Sequence, residues 1–140
     1  AIEIISEVGL DMSKWPTVKH FTSWLNLAPN NKISGGKVLS SRIPKKKNHA
    51  GQIFRMAAFA IQRSKNWLAM FYNRIKAKNG APKAIVATAR KIAAIFYKMI
   101  KERVKFNPIP IEKYMDGFKE NQIKKLKRQA KNLGLQIVEM

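Results

Sequence analysis

The sequence contains no cysteine and has very few acidic residues. Without cysteine, neither a disulfide nor a thiolate metal site is available to the chain. None of the 90 residues from Met12 to Lys101 is Asp or Glu, whereas 19 of them are Lys or Arg. Hard cations such as Mg²⁺ are held by oxygen ligands, chiefly carboxylates, and a two-metal nuclease site needs several of them. The middle of the chain cannot build such a site, and we expect no metal and no cofactor there.

The sequence also lacks long apolar segments. No apolar run approaches the roughly 18 residues that a membrane-spanning helix needs, and no signal peptide is visible. A cytoplasmic location is therefore the default expectation. A basic peripheral membrane protein is an alternative, but the cations are spread over many segments and are not gathered on one amphipathic helix.

Positive charge is what the chain has in excess. Its 28 Lys/Arg residues against 8 Asp/Glu give a net charge of +20 over 140 residues, and such a field attracts polyanions. The apolar content of 46% argues against a disordered chain. We therefore expect a single folded domain over residues 1–140 that binds DNA or RNA. Because the chain starts without Met and already in apolar residues, we interpret it as a domain cut from a longer protein.

Apolar spacing and helix-ending residues predict an all-α, multi-helix domain. A first helix is expected to end at Gly9, and a second to run from a Thr17 cap to about Leu27. Residues 29–47 are interpreted as an irregular basic loop. Long central helices follow, with either a break or a bend between them, and a basic helix near the C-terminus stops at Gly134.

The histidines and aromatic residues have ordinary structural interpretations. His20 and His49 lie far apart in sequence with no cysteine or nearby acid, whereas zinc needs three or four matching ligands. Stacking on nucleic-acid bases is one role for the aromatic side chains. Most of them lie at helical spacing on apolar stripes, however, so we interpret them as core residues. The residues concerned are Trp15, Trp24, Trp67, Phe71 and Tyr72.

The least helix-like segment carries the clearest candidate chemistry. In Ser34-Gly35-Gly36-Lys37 a hydroxyl group is followed by two glycines and a cation. Glycines let a backbone lie close to a ligand, and exposed N–H groups can hold a phosphate. A serine nucleophile that attacks a phosphodiester is chemically reasonable at this point, although the four residues taken alone are better explained as a polar turn.

Basic residues around this segment and on the last helix are the candidate nucleic-acid ligands. Acids are scarce beside them, and cations without acidic neighbours on one face suit a phosphate backbone. A solvated helix face is the alternative interpretation of the last helix. The candidates are Lys32, Gly35, Gly36, Lys37, Arg42, Lys45, Lys46, Lys47, Arg55, Lys124, Lys125 and Arg128.

Several separated motifs resemble the C-terminal domain of the Piv/MooV-type recombinases, the one-hundred-and-ten group of insertion-sequence transposases. The resemblance covers nearly the whole chain, and the motifs come in the family's order. Asn26 stands where the family usually has glycine, and the chain begins after the hairpin glycines that usually precede the first helix. The motifs are Glu7-Val8-Gly9, Asp11, Trp15-Pro16, TSWLNLAP at residues 22–29, Asn31 to Lys37, and the segments 83–100 and 121–138.

This resemblance implies a helix-hairpin-helix-like N-terminal part that binds DNA, with Ser34 as the nucleophile for DNA strand exchange. It also implies a RuvC-like nuclease domain in the same protein, where Mg²⁺ is expected, together with a structured guide RNA and a homo-oligomer. Such a protein is prokaryotic, cytoplasmic and nucleoid-associated, and this chain alone is expected to be inactive. The alternative is a non-catalytic basic helical module that binds DNA or RNA, with Ser34 only a turn residue.

Overall fold

The computed structural model describes residues 2–29, 32–43, 48–103, 105 and 110–138. These residues form six α-helices and one two-stranded antiparallel hairpin, so the all-α prediction is confirmed. No helix among these residues is long and apolar enough to cross a membrane. The elements are α1 (Ile2–Val8), α2 (Val18–Trp24), β1 (Lys32–Ser34), β2 (Lys37–Ser40), α3 (His49–Ile61), α4 (Trp67–Asn79), α5 (Ala81–Glu102) and α6 (Ile111–Asn132).

The chain divides into two compact units, residues 1–107 and residues 108–140. The first unit contains α1 to α5 and the hairpin. The second contains α6. The assignment of residues 1–140 to one domain stays a prediction.

The first helices begin and end at the residues that the sequence marks, with one exception. Gly9 follows α1 with φ +78°, and its N–H donates to the Ile5 carbonyl at 2.7 Å. The Thr17 hydroxyl caps α2 by accepting from the His20 N–H at 3.4 Å. The prediction that α2 reaches Leu27 was wrong. The helix ends at Trp24, because Asn26 has φ +56° and lies outside the helical region.

Two asparagine side chains cap the N-termini of the central helices α3 and α4. Asn48 caps α3 by accepting from the Gly51 N–H at 3.0 Å, and its Nδ2 donates to the Trp24 carbonyl at 2.9 Å. Asn66 caps α4 by accepting from the Ala69 N–H at 3.0 Å. The central region is therefore broken at Asn66 and does not form one bent helix.

The core of the first unit is built around Phe21 on α2. Its fully buried ring lies 6.3 Å from the Phe54 ring on α3 and 6.2 Å from the Phe96 ring on α5. Trp15, from the turn before α2, packs edge-on against Phe21 at 5.1 Å and is buried. The interpretation of Trp15, Trp67 and Tyr72 as core residues is confirmed, whereas Trp24 is 42% exposed and Phe71 is half-buried.

Hydrogen bonds form at both ends of the turn before α2. The Ser13 N–H donates to Asp11 Oδ1 at 2.9 Å, and this hydrogen bond holds the pKa of Asp11 below its usual value. Lys101 on α5 donates from Nζ to the Pro16 carbonyl at 2.9 Å. The entry to α2 is therefore held against α5.

Candidate nucleic-acid interface

The segment predicted as an irregular loop contains a β-hairpin instead. Lys32–Ser34 and Lys37–Ser40 pair antiparallel, and Gly35 and Gly36 form the connection between them. Their φ angles are +57° and +76°. Positive φ at both central residues is what a type I′ turn requires, and this turn matches the twist of two paired strands. The glycines therefore form a tight hairpin turn.

The strand register sorts the hairpin side chains onto two faces. Ser34 pairs with Lys37 and Lys32 pairs with Ser40, whereas the intervening pair is Ile33 with Val38. Because side chains of paired residues lie on the same face and alternate along a strand, one face carries the Ser34 hydroxyl and the Lys32 and Lys37 ammonium groups. The other face is apolar. The register shift between Lys32 and Ile33 leaves one extra residue on β2, which is a β-bulge.

The polar face of the hairpin is open to solvent. Every residue from Lys32 to Leu39 is exposed. Ser34 and Lys37 are directly opposite across the turn, where paired residues have Cβ atoms about 5 Å apart. A phosphate group placed beside Ser34 therefore meets the hydroxyl and the Lys37 ammonium together, and Lys32 lies two residues away on the same face.

The remaining candidates from the first unit lie in different surroundings. Arg42 follows β2 and is exposed, and its backbone N–H donates to Ser40 Oγ at 3.4 Å. Arg55 on α3 is half-buried, and its Nη2 donates to the Asn26 carbonyl at 3.2 Å. The structure thus gives Arg55 an internal contact with the Asn26 turn. Lys45, Lys46, Lys47 and the motif residue Asn31 lie outside the described residues.

The candidates on the last helix belong to the second unit. Lys124, Lys125 and Arg128 lie on α6 and are all exposed. Their helix was predicted from the sequence. The hairpin and α6 are therefore two separate groups of candidate ligands, each on its own unit.

Three further cations line a cleft that sequence reasoning missed. Lys19 on α2 and the neighbouring pair Arg90 and Lys91 on α5 border a cleft of about 300 Å³, with Phe71 in its wall. All three cations are exposed, and Lys91 Nζ lies 5.3 Å from the centre of the Phe71 ring. Tertiary packing brings these residues together from distant parts of the sequence. The sequence signal for this cleft was the absence of Asp and Glu from Met12 to Lys101.

The histidines do not take part in a metal cluster. His20 Nδ1 lies 2.6 Å from the Thr17 hydroxyl, at the cap of α2, and His49 is the first residue of α3. Across residues 2–29, 32–43, 48–103, 105 and 110–138, no three His, Asp or Glu side chains lie together as metal ligands require.

Comparison with known proteins identifies one family. A family profile described as "Transposase IS116/IS110/IS902 family" matches residues 1–73, just over half of the 140 residues. The match includes α1, α2, the hairpin, α3 and the first half of α4. No curated protein and no solved structure shows significant similarity to the chain.

Proposed function

Because the chain belongs to the IS116/IS110/IS902 family of transposases, we propose that its hairpin binds DNA and supplies Ser34 as the nucleophile for strand exchange. The observation that carries this proposal is the pairing of Ser34 with Lys37 across a Gly-Gly turn on an exposed hairpin. A nucleophile on such an exposed tip is accessible to a phosphodiester.

The proposed step is a transesterification. Ser34 Oγ forms a bond to phosphorus, the bond between phosphorus and one sugar oxygen breaks, and that sugar leaves as a free hydroxyl. A serine hydroxyl is a weak nucleophile at neutral pH and has to lose its proton to an acceptor. The ammonium groups of Lys37 and Lys32 would offset the charge that develops on the phosphate oxygens. They already carry a proton, so they are not the acceptor.

The proton acceptor is proposed to belong to a RuvC-like nuclease domain of the same protein. Ser34 lies within the 90 residues that contain no Asp or Glu, so no carboxylate is near it in sequence. Mg²⁺ is expected in that nuclease domain and not in this chain. The active centre is then composite, and this chain alone neither cuts nor joins DNA.

Binding of nucleic acid is proposed to rest on charge more than on base reading. A net charge of +20 gives a strong, salt-dependent and sequence-independent attraction to phosphate backbones. The exposed cations of the hairpin and of α6 supply it, and structured guide RNA is a proposed second ligand of the same charges. The same exposure of Lys32 and Lys37 also supports the second candidate, a binding module without catalytic activity.

Matched serine variants separate the two candidates. Ser34→Ala in the full-length transposase should abolish strand exchange and leave DNA affinity nearly unchanged, because the attacking atom is lost but no cation is removed. Ser40→Ala is the control, since Ser40 lies on the same hairpin and pairs with Lys32, not with Lys37. Strand exchange that persists in Ser34→Ala would leave only the binding module. Equal loss in both variants would indicate a disrupted hairpin.

A further inference from the structure

The cleft between α2 and α5 has a lining that the hairpin chemistry does not use. Its volume is about 300 Å³, and residues of α2, α4 and α5 line it. Its four residues on α5 follow the i, i+3, i+4, i+7 spacing of one helix face. They are Ala87, Arg90, Lys91 and Ala94. On this face two short side chains leave space beside two long cationic ones.

The charge at this cleft is of one sign. Lys19 from α2 and the pair Arg90 and Lys91 from α5 border it, and all three are exposed. Among the residues that the structure describes, no Asp or Glu lines the cleft. Cations gathered from two helices without an acid in the same lining favour an anionic ligand.

The ring of Phe71 on α4 forms an aromatic wall of the cleft and is half-buried. Lys91 Nζ lies 5.3 Å from the ring centre, and Arg74 Cζ lies 5.5 Å from it. The attraction of an exposed cation to an aromatic face is weak, so a phosphate can draw the Lys91 ammonium away from the ring. The area that the ammonium covers then becomes open to another flat group.

We propose that this cleft binds one unpaired nucleotide of a single-stranded nucleic acid. The phosphate contacts Lys19, Arg90 and Lys91, and the base packs against Phe71. Sites for single strands combine these two features, since cations follow the backbone and an aromatic ring lies under a base. A volume of about 300 Å³ lies at the small end of ligand sites, which suits one nucleotide and not a duplex.

The geometry of the cleft requires an unpaired base. In a duplex the bases are stacked on one another, and proteins reach only the phosphates and the edges in the grooves. The Thr22 hydroxyl donates to the Val18 and Lys19 carbonyls at 3.1 Å and 3.2 Å, so its proton is not available to read a base edge. Stacking on Phe71 should therefore accept different bases.

This inference rests on the proposed binding of nucleic acid and adds the form of the strand. It does not depend on Ser34 as the nucleophile, and it uses none of the cations of the hairpin or of α6. Those cations are proposed to contact the phosphates of duplex or structured nucleic acid. The cleft instead receives a strand whose bases are unpaired.

Fluorescence anisotropy of the 140-residue chain at about 0.15 M salt tests the aromatic contact. The probes are labelled oligothymidylate, oligouridylate and a DNA duplex. Phe71→Leu should weaken binding of a single strand about fivefold or more, because one base loses its stacking partner, and should leave duplex affinity nearly unchanged. Phe59→Leu, at an exposed position of α3, is the control and should change neither. Loss on thymidylate assigns the site to DNA strands, and loss on uridylate assigns it to RNA strands.

Two charge variants test the phosphate contacts. Lys19→Gln with Lys91→Gln removes two cations from the cleft. Lys76→Gln with Lys78→Gln removes the same charge from exposed positions of α4 that do not line it. The first variant should weaken single-strand binding about threefold or more beyond the second, because direct phosphate contacts are lost. Equal effects would mean that these lysines act only through the net charge, and would overturn the site.

Photocrosslinking of the original chain locates the base without any substitution. A strand that carries one iododeoxyuridine or iodouridine should crosslink to Phe71, within the tryptic peptide over residues 66–74. Crosslinks only elsewhere, or equal affinities of Phe71→Leu and Phe59→Leu for both strands, would overturn the inference and leave the proposed duplex binding intact. A chain that binds neither duplex nor single strands would contradict the proposed binding of nucleic acid as well.

Discussion

The hydroxyl of Tyr97 on α5 donates a hydrogen bond of 2.6 Å to the backbone carbonyl of Trp15, which lies 82 residues earlier. Lys101 Nζ donates to the Tyr97 hydroxyl at 3.0 Å and to the Pro16 carbonyl at 2.9 Å. The bonds to the Trp15 and Pro16 carbonyls hold the turn before α2 against α5, the longest helix of the first unit. The bond between Lys101 and Tyr97 links the two donors on α5.

Tyr97→Phe should therefore lower the free energy of unfolding by about 1–3 kcal/mol, because the buried Trp15 carbonyl loses its donor. Chemical denaturation followed by tryptophan fluorescence measures the change. Lys98→Met, on an exposed position of the same helix, is the control and should change stability by about 0.5 kcal/mol or less. Equal stability of Tyr97→Phe and the original chain would contradict the role of this hydrogen bond.

Asn26 occupies a backbone position that only a few residue types accept. Its φ of +56° lies in the left-handed region, and its carbonyl accepts a hydrogen bond from Arg55. Asparagine and glycine tolerate this region, whereas a β-branched residue does not. Asn26→Gly should keep the stability, and Asn26→Val should lose about 1–2 kcal/mol. Thermal unfolding of the two variants checks this, and equal melting temperatures would mean that the backbone is not held there.

Gly51 on α3 allows a close approach to the chain after α2. A Cβ added to Gly51 would lie 2.2 Å from the Leu25 carbonyl oxygen, which is backbone and cannot turn aside. Gly51→Ala should cost about 1–3 kcal/mol through overpacking. Gly117→Ala on α6 is the matched control, since a Cβ there meets nothing within 4 Å, and it should be neutral or stabilise its helix by about 0.5–1 kcal/mol. A Gly51→Ala variant of full stability would show that α3 has room to shift.

The hairpin turn should tolerate only residues that accept positive φ. Gly35→Asn should keep the hairpin, because Asn-Gly is favoured in type I′ turns, whereas Gly35→Val should open it. Neither variant changes the charge. Amide hydrogen exchange of residues 32–40 with DNA bound measures the effect, and Gly35→Asn should be better protected than Gly35→Val. Protection should be low in the free chain, because an isolated two-stranded hairpin is marginally stable, and should rise when DNA is added. Equal protection with and without DNA would contradict ordering by the nucleic acid.

Local signals in the sequence predicted helix ends better than they predicted the β-hairpin. Thr17 and Gly9 act through hydrogen bonds to residues three or four positions away. A short sequence motif therefore contains all the residues that begin or end the helix. The hairpin was missed because its glycines and cations were interpreted as an irregular basic loop. The alternation of Lys32-Ile33-Ser34 around a Gly-Gly pair was the available signal.

Other features depend on contacts that no short motif contains. Lys19 reaches the cleft beside Arg90 and Lys91 only because α2 packs against α5. The side chain of Arg55 was assigned to nucleic acid from its charge, but its contact with the Asn26 carbonyl arises from the packing of α3 under the turn after α2.

If Ser34 is the nucleophile, it becomes covalently joined to DNA through phosphate, and the joined residue can be identified directly. The full-length transposase is incubated with its DNA and denatured, and the covalent protein–DNA adduct is digested and sequenced by mass spectrometry. We expect a nucleotide attached through phosphate to Ser34, no adduct from Ser34→Ala, and a normal yield from Ser40→Ala. An adduct on any other residue, or a normal yield from Ser34→Ala, would show that Ser34 is not the nucleophile.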